Sequence, residues 1–161
     1  MTTDNYFALL GQAVSFKLDM PSLDRSYLEL ARAVHPDRFA TASDAEKLQA
    51  VQHAAELNQA YETLKNPTKR ALYLLSLQAP VDEEATVQDP SFLLQQMEWR
   101  EELEELSDSE DLKALAAFRR QLRAARAALD DEFDTLWQTI EQREQAERIA
   151  RRMQFLDKML Y

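Results

Sequence analysis

The sequence contains no cysteine. Disulfides, thiolate zinc sites and cysteine-bound iron–sulfur clusters are therefore excluded for this chain. Histidine is almost as scarce: His35 and His53 are the only two, too few for a histidine-built metal centre. A single glycine, Gly11, leaves no material for phosphate-cradling glycine loops, and hairpin signals are missing throughout. No apolar run approaches the ~20 residues of a membrane span. Neither a secretory signal nor a basic amphipathic transit segment opens the chain, so a cytoplasmic, bacterial setting is expected.

Ala, Leu, Glu, Gln and Arg dominate the 161 residues, a composition that points to an all-α protein. The net charge of −10 is unevenly spread. Through residue 80 nine acids face eight bases, a net of −1, whereas residues 81–161 hold twenty acids and eleven bases, a net of −9. Such an acidic balance argues against nucleic acid and against an anionic membrane as partners, since both reward basic patches. The asymmetry also marks a boundary near residue 80.

Capping residues and apolar spacing place the helices. Asp4 is the expected cap of a short first helix carrying Tyr6, Phe7, Leu9 and Leu10, with Gly11 at its C′ position. Pro21-Ser22 opens a second, with Leu23, Tyr27, Leu30, Ala31 and Val34 on one face. Ser43-Asp44-Ala45-Glu46 is a capping box for a third, whose expected stripe is Val51, Ala54, Leu57, Tyr61 and Leu64. Asn66-Pro67 opens a fourth, with Arg70, Tyr73, Leu74 and Leu77. A polar linker, residues 78–89, separates these from three longer helices at about 90–106, 109–139 and 142–160. Ser107-x-x-Glu110 reads as a second capping box between the first two. The middle helix carries the stripe Leu115, Phe118, Leu122, Ala125, Leu129, Phe133, Leu136 and Ile140. A small helical bundle is the economical arrangement.

Two features reach beyond packing. The first is the segment ARAVHPDRFA, Ala31 to Ala40, where an amphipathic helix stops at His35-Pro36-Asp37. Pro36 lacks an amide hydrogen and biases His35 away from helical geometry, which leaves an imidazole and a carboxylate on an exposed bend. The bend is open to three readings: a plain loop, an acid–base or metal site, or a docking tip. The enzyme reading is weak, because the chain has no nucleophile elbow, phosphate loop or metal-ligand cluster; no catalytic residue, metal or cofactor is expected. His53, mid-helix among alanines, is read as a surface or packing residue.

The second feature is a helix with two apolar faces. With Trp99 at zero on a helical wheel, Phe92, Leu103 and Leu106 fall within about 40° and suffice for a core stripe. Leu93, Met97 and Leu94 fall at roughly 120°, 160° and 220°, on the side shared by Glu98, Glu101 and Glu105. In the last helix Ala146, Ile149, Ala150, Met153 and Leu160 form the stripe, while Phe155 points about 200° from Met153. Exposed apolar groups rimmed by acids mark a protein–protein surface, unless the linker or the N-terminal half covers them as ordinary core.

The motifs resemble a known family. Tyr27-x-x-Leu30-Ala31, His35-Pro36-Asp37-Arg38-Phe39 and Leu57-Asn58-x-Ala60-Tyr61-x-x-Leu64-x-Asn66-Pro67-x-x-Arg70 are similar to a J-domain. Arg70-Ala71-x-Tyr73-Leu74-Leu75, Phe92-Leu93-Leu94-x-Gln96-Met97-Glu98-x-Arg100-Glu101-Glu102-Leu103 and Phe155-Leu156-Asp157-Lys158 resemble the HscB-type co-chaperones of iron–sulfur cluster assembly, over nearly the whole chain. The resemblance implies that His35, Pro36 and Asp37, flanked by Arg25, Arg32 and Arg38, dock on an ATP-bound heat-shock-70-class chaperone (HscA-like) and stimulate its ATPase. It equally implies that Leu93, Leu94, Met97, Glu98, Glu101, Glu105 and Phe155 bind an iron–sulfur cluster scaffold protein (IscU-like). Leu94 stands where the family has a methionine and Met97 where it has a leucine, both near volume-conserving swaps. Leu28 and Glu29 stand where general J-domains are basic, which favours a dedicated chaperone. With no cysteine to hold a cluster, the resemblance implies that the chain carries the scaffold rather than the cluster.

The expectation is thus an all-α, L-shaped adaptor: a J-domain over 1–77, a linker over 78–89 and a three-helix, scaffold-binding bundle over 90–161. A J-domain protein serving a different client is the alternative.

Overall fold

The structure, a computed structural model, describes residues 5–81 and 89–161. It is helical, with no strand among the described residues. In chain order the elements are α1 (Tyr6–Leu9), α2 (Met20–Ala33), a 3-10 turn (Pro36–Phe39), α3 (Asp44–Lys65), α4 (Pro67–Gln78), α5 (Pro90–Ser109), α6 (Leu112–Leu136), a second 3-10 turn (Ile140–Gln142) and α7 (Arg143–Leu160). The chain forms two compact units that divide between Leu74 and Leu75. No helix among the described residues is long and apolar enough to cross a membrane.

In the first unit the caps do local work. Asn5 accepts the Ala8 amide at 2.8 Å and starts α1; the expected cap, Asp4, lies outside the described residues. Gly11, at φ +65°, closes α1 as a Schellman motif, with the Gly11 amide on the Ala8 carbonyl and the Gln12 amide on the Phe7 carbonyl. Asp19 caps α2 through the Ser22 amide, so this helix begins one residue before Pro21. Ser43 Oγ accepts the Glu46 amide at 3.2 Å, and Asn66 Oδ1 the Lys69 amide at 3.0 Å.

Phe7, Leu10, Phe16, Leu23, Leu57, Ala60, Leu64, Ala71 and Leu74 make the core of this unit. Burial of each large apolar side chain contributes about 1.5–3 kcal/mol before the entropy of ordering is counted. Tyr27 of α2 stacks on Tyr61 of α3, ring centroids 4.1 Å apart, and the Tyr61 hydroxyl donates to Asp24 at 2.8 Å. That bond holds the phenol above its ordinary pKa, with burial adding to it. Buried Arg70 donates from Nε to the Phe16 carbonyl at 2.7 Å and from a terminal nitrogen to the Leu64 carbonyl, tying the α1–α2 loop to the end of α3.

One stripe differs from expectation. Val51 is exposed and Ala50 is buried in its place. The sequence stripe took two successive steps of three, from Val51 through Ala54 to Leu57. Each step of three drifts about −60° around the helix, whereas Ala50 lies seven residues from Leu57 and nearly on its line.

In the second unit α6 and α7 are the principal pair. Phe118, Leu122, Leu129 and Phe133 face Ala146, Ile149, Ala150, Met153 and Leu156, and α5 adds Phe92 and Trp99. Arg126, nearly buried, bonds Asp157 at 2.7 Å and Asp130 at 2.6 Å. Burial opposes its charge, but the two carboxylates outweigh that and push the guanidinium up.

The expected capping box at Ser107 and Glu110 does not form. Ser107 lies inside α5, which runs on to Ser109, and Glu110 turns the chain at φ +60°. Asp111 caps α6 instead, accepting the Ala114 amide at 3.1 Å. A cap needs extended geometry, and Ser107 is still helical when the chain passes it. At the other end α6 stops at Leu136, so Ile140 falls in the second 3-10 turn and is exposed rather than part of the stripe.

Candidate functional site

Two surfaces carry the residues singled out in the sequence, one in each unit. The first is the bend. α2 ends at Ala33, the Val34 amide still reaching the Leu30 carbonyl at 3.3 Å. His35 then takes extended geometry, φ −60° and ψ 134°, and caps the turn that Pro36 opens. Pro36 is tolerated because a first-turn residue has no amide obligation. His35 Nδ1 accepts the Asp37 amide at 3.2 Å, and the Arg38 amide returns to the His35 carbonyl at 3.0 Å. The turn packs against α3.

Nδ1 also lies 3.6 Å from the Asp37 carboxylate. An ion pair there would need a proton on Nδ1, yet that nitrogen is already the acceptor of an amide. The hydrogen bond is the shorter contact, so Nδ1 serves here as an acceptor, and Nε2 makes no hydrogen bond among the described residues. Both side chains are open to solvent, His35 at 60% and Asp37 at 92%. Arg25, Arg32 and Arg38 are exposed as well, with no ion pair among the described residues. Arg25 and Arg32 are seven residues apart in α2 and so lie on one line, with exposed Leu28 and Glu29 between them.

The second surface belongs to α5 and α7. Phe92 and Trp99 anchor α5 inward, while Leu93, Leu94 and Met97 stand outward at 58%, 60% and 61% exposure. Glu98, Glu101 and Glu105 are exposed around them, and none forms an ion pair among the described residues. Glu98 with Glu102 and Glu101 with Glu105 repeat a like charge at i, i+4, which costs the helix about 0.2–0.5 kcal/mol per pair. A fold under no other demand has little reason to gather these charges.

Phe155 differs from the three aliphatic residues. It is half-buried, where they are exposed. Its ring meets Phe92 edge-on with centroids 5.6 Å apart, and the Arg100 guanidinium lies 5.1 Å above it. The wheel points Phe155 away from the α7 core, with the exposed groups, but cannot show that α5 lends it a cover. His53, as a plain surface residue, is exposed.

The sequence reading missed the contacts behind this face. Asp89 forms a bidentate pair with Arg152 at 2.7 and 2.8 Å, and that guanidinium lies 5.0 Å over the Phe92 ring. The hydrogen bonds from Arg152 hold the Asp89 carboxyl below its ordinary range despite burial. Asp89 and Arg152 are 63 residues apart, so no local spacing announces them. Arg100 has no signal of its own in the sequence, because a charged residue on a helix is ordinarily solvated.

Comparison with known proteins agrees with this division of features. Residues 5–73 match the family model of the DnaJ domain, and residues 88–161 match that of the HSCB C-terminal oligomerisation domain. The chain is 39% identical to the chaperone HscB from Vibrio cholerae, over 97% of this chain and 93% of that one, with a TM-score of 0.85. It is 30% identical to the human co-chaperone protein HscB, over 99% of this chain and 80% of that one, with a TM-score of 0.88.

Proposed function

Because this chain belongs to the HscB family of J-domain co-chaperones, we propose that it binds an iron–sulfur cluster scaffold protein, brings it to a dedicated heat-shock-70-class chaperone and stimulates that chaperone's ATPase. The chain itself turns over no substrate in this reading; it joins two partners that do the chemistry. A cytoplasmic place of action is part of the same proposal.

The observation that carries it is the outward aliphatic cluster Leu93, Leu94 and Met97 edged by the exposed glutamates Glu98, Glu101 and Glu105. Burying those side chains supplies affinity, and the carboxylates select a partner with a basic rim. Phe155, held by Phe92 and Arg100, adds an aromatic anchor whose orientation is set before binding, so less entropy is lost on contact. The bend supports the other half. It is short, exposed and stiffened by its own backbone bonds, with Nε2 of His35 and the Asp37 carboxylate available to a polar cleft. Arg25, Arg32 and Arg38 favour an acidic chaperone surface.

Carrying both contacts on one chain raises the scaffold's effective concentration at the chaperone without any new contact between those two. The test is the chaperone's ATPase rate with this protein alone, the scaffold alone and both together. The expected result is stimulation by both that exceeds the sum of the separate effects. Additive rates would reject the bridging role, and equal stimulation with any unrelated client in place of the scaffold would favour the different-client alternative.

A further inference from the structure

Charge in α6 is sorted by half. Residues 112–129 hold five bases and no acid, and residues 130–136 hold four acids and no base. That order opposes the helix macrodipole, which favours acids in the first turn and bases in the last; α6 has neither. Like charges also recur at i, i+4, Arg119 with Arg123 and Asp130 with Asp134, an unfavourable spacing. Of the five bases only Arg126 is paired among the described residues, with Asp130 and Asp157. Arg119, Arg120 and Arg123 stand exposed and free of ion pairs among the described residues. Nothing inside the unit accounts for this sorting.

The outward side of α6 lines the two halves up about exposed Ala127. At 100° per residue, Arg120 and Asp131 fall about 20° and 40° to one side of it, and Arg123 and Asp134 about 40° and 20° to the other. The arginines stand seven and four residues before Ala127, and the aspartates four and seven residues after it. Such a face is its own complement. A second α6, turned antiparallel about a two-fold axis beside Ala127, keeps each side with itself and exchanges the ends. Arg120 then stands by Asp131 of the second copy and Arg123 by Asp134 of that copy, and each pair is made twice. Asp134 Oδ1 accepts the Trp137 indole N–H at 3.1 Å, which orients that carboxylate and leaves its second oxygen for a guanidinium. Ala127, with exposed Ala124 one turn away, lets the two helices approach closely.

We propose that this face is a contact between two copies of the chain, an antiparallel pair of α6 helices closed by reciprocal Arg–Asp pairs about Ala127. A basic patch alone would suit any acidic partner. Basic and acidic patches in mirrored order on one helix face suit the same face of a second copy. The contact uses none of the residues assigned to the bend or to the α5 face, so the dimer carries each of those surfaces twice. Alanines and exposed charges bury little apolar area, which makes the dimer weak, concentration-dependent and loosened by salt.

Sedimentation equilibrium of the full chain at low salt, from about 10 µM to about 500 µM, reads the contact directly. The parent should pass from monomer to dimer. Arg120→Asp and Asp131→Arg each set like charges opposite one another twice, and each should weaken self-association about tenfold or more. An equimolar mixture of the two variants should return to within about threefold of the parent, since each meets the reversed sign of the other. A folding defect in either variant cannot produce that recovery, and circular dichroism checks helicity. Arg119→Asp makes the same charge change about 80° around the helix from Ala127 and should stay within about twofold of the parent. A parent that remains monomeric throughout overturns the contact, as does a mixture that associates no better than its components. An equal loss in Arg119→Asp would also overturn it, reducing the effect to net charge. Self-association lost in Leu93→Ala yet intact in Arg120→Asp would assign it to the α5 face and overturn the α6 contact.

Discussion

The bend and the α5 face differ in how they are built. The bend is a few residues long, and its shape comes from the backbone: a proline, an amide on an imidazole nitrogen, and a carbonyl taking back the Arg38 amide. The α5 face spans several helical turns, and its shape comes from a rigid helix anchored by Phe92 and Trp99. The bend presents polar groups in one geometry, whereas the face presents apolar area with charge around it. A contact of the first kind concentrates its function in single atoms, and one of the second kind spreads it over several side chains. Single substitutions should therefore abolish one and only erode the other.

The largest effect is expected at His35. His35→Gln should eliminate ATPase stimulation while leaving the circular dichroism spectrum and scaffold affinity as they were, because the side chain is exposed and distant in sequence from α5. Residual stimulation near the parent level would break the contrast at its polar side. Replacing Leu93, Met97 and Phe155 together with alanine comes next. Scaffold affinity should fall more than tenfold, about 1.4 kcal/mol or more, with stimulation in the absence of scaffold unchanged. A calorimetric Kd equal to the parent's would remove the apolar side.

Asp89→Asn sharpens the comparison at the level of support. Asp89 has a depressed pKa in the folded protein, so its contribution is complete above the ordinary carboxylate range and disappears as pH falls through the folded value. At neutral pH the substitution should cost about 1 kcal/mol of unfolding free energy, and the difference from the parent should vanish in strong acid. Chemical denaturation at several pH values measures this; a cost that persists undiminished in acid would assign it to packing instead. The smallest effect is expected for Glu101→Gln, a few-fold loss of scaffold affinity that fades as salt is raised, since a rim charge acts over about a Debye length. A loss indifferent to salt would mean that Glu101 makes a buried contact.

Much of this was legible because it is local. The Schellman glycine at Gly11, the caps at Ser43 and Asn66, and the break at Pro36 are each set by a few neighbouring residues, and each is found where the sequence placed it. The outward turn of Leu93, Leu94 and Met97 follows from 100° per residue once Trp99 is taken as buried. Legibility failed where two local signals competed. Ser107 and Asp111 are both acceptable caps, and the choice depended on how far α5 continued. Val51 is the larger apolar residue, yet Ala50 holds the buried line because phase, not hydrophobicity, decides which side meets the core.

The amino-acid sequence by itself determined an all-helical chain, a polar bend at His35-Pro36-Asp37 and a helix apolar on two sides. These follow from backbone geometry and periodicity, which act over a turn or two of chain. Only the tertiary structure decided that Asp89 grips Arg152, that Arg152 covers Phe92, and that Arg100 reaches over Phe155 beside Lys158. Those contacts join residues more than fifty positions apart, and no local rule prefers them until the helices have packed.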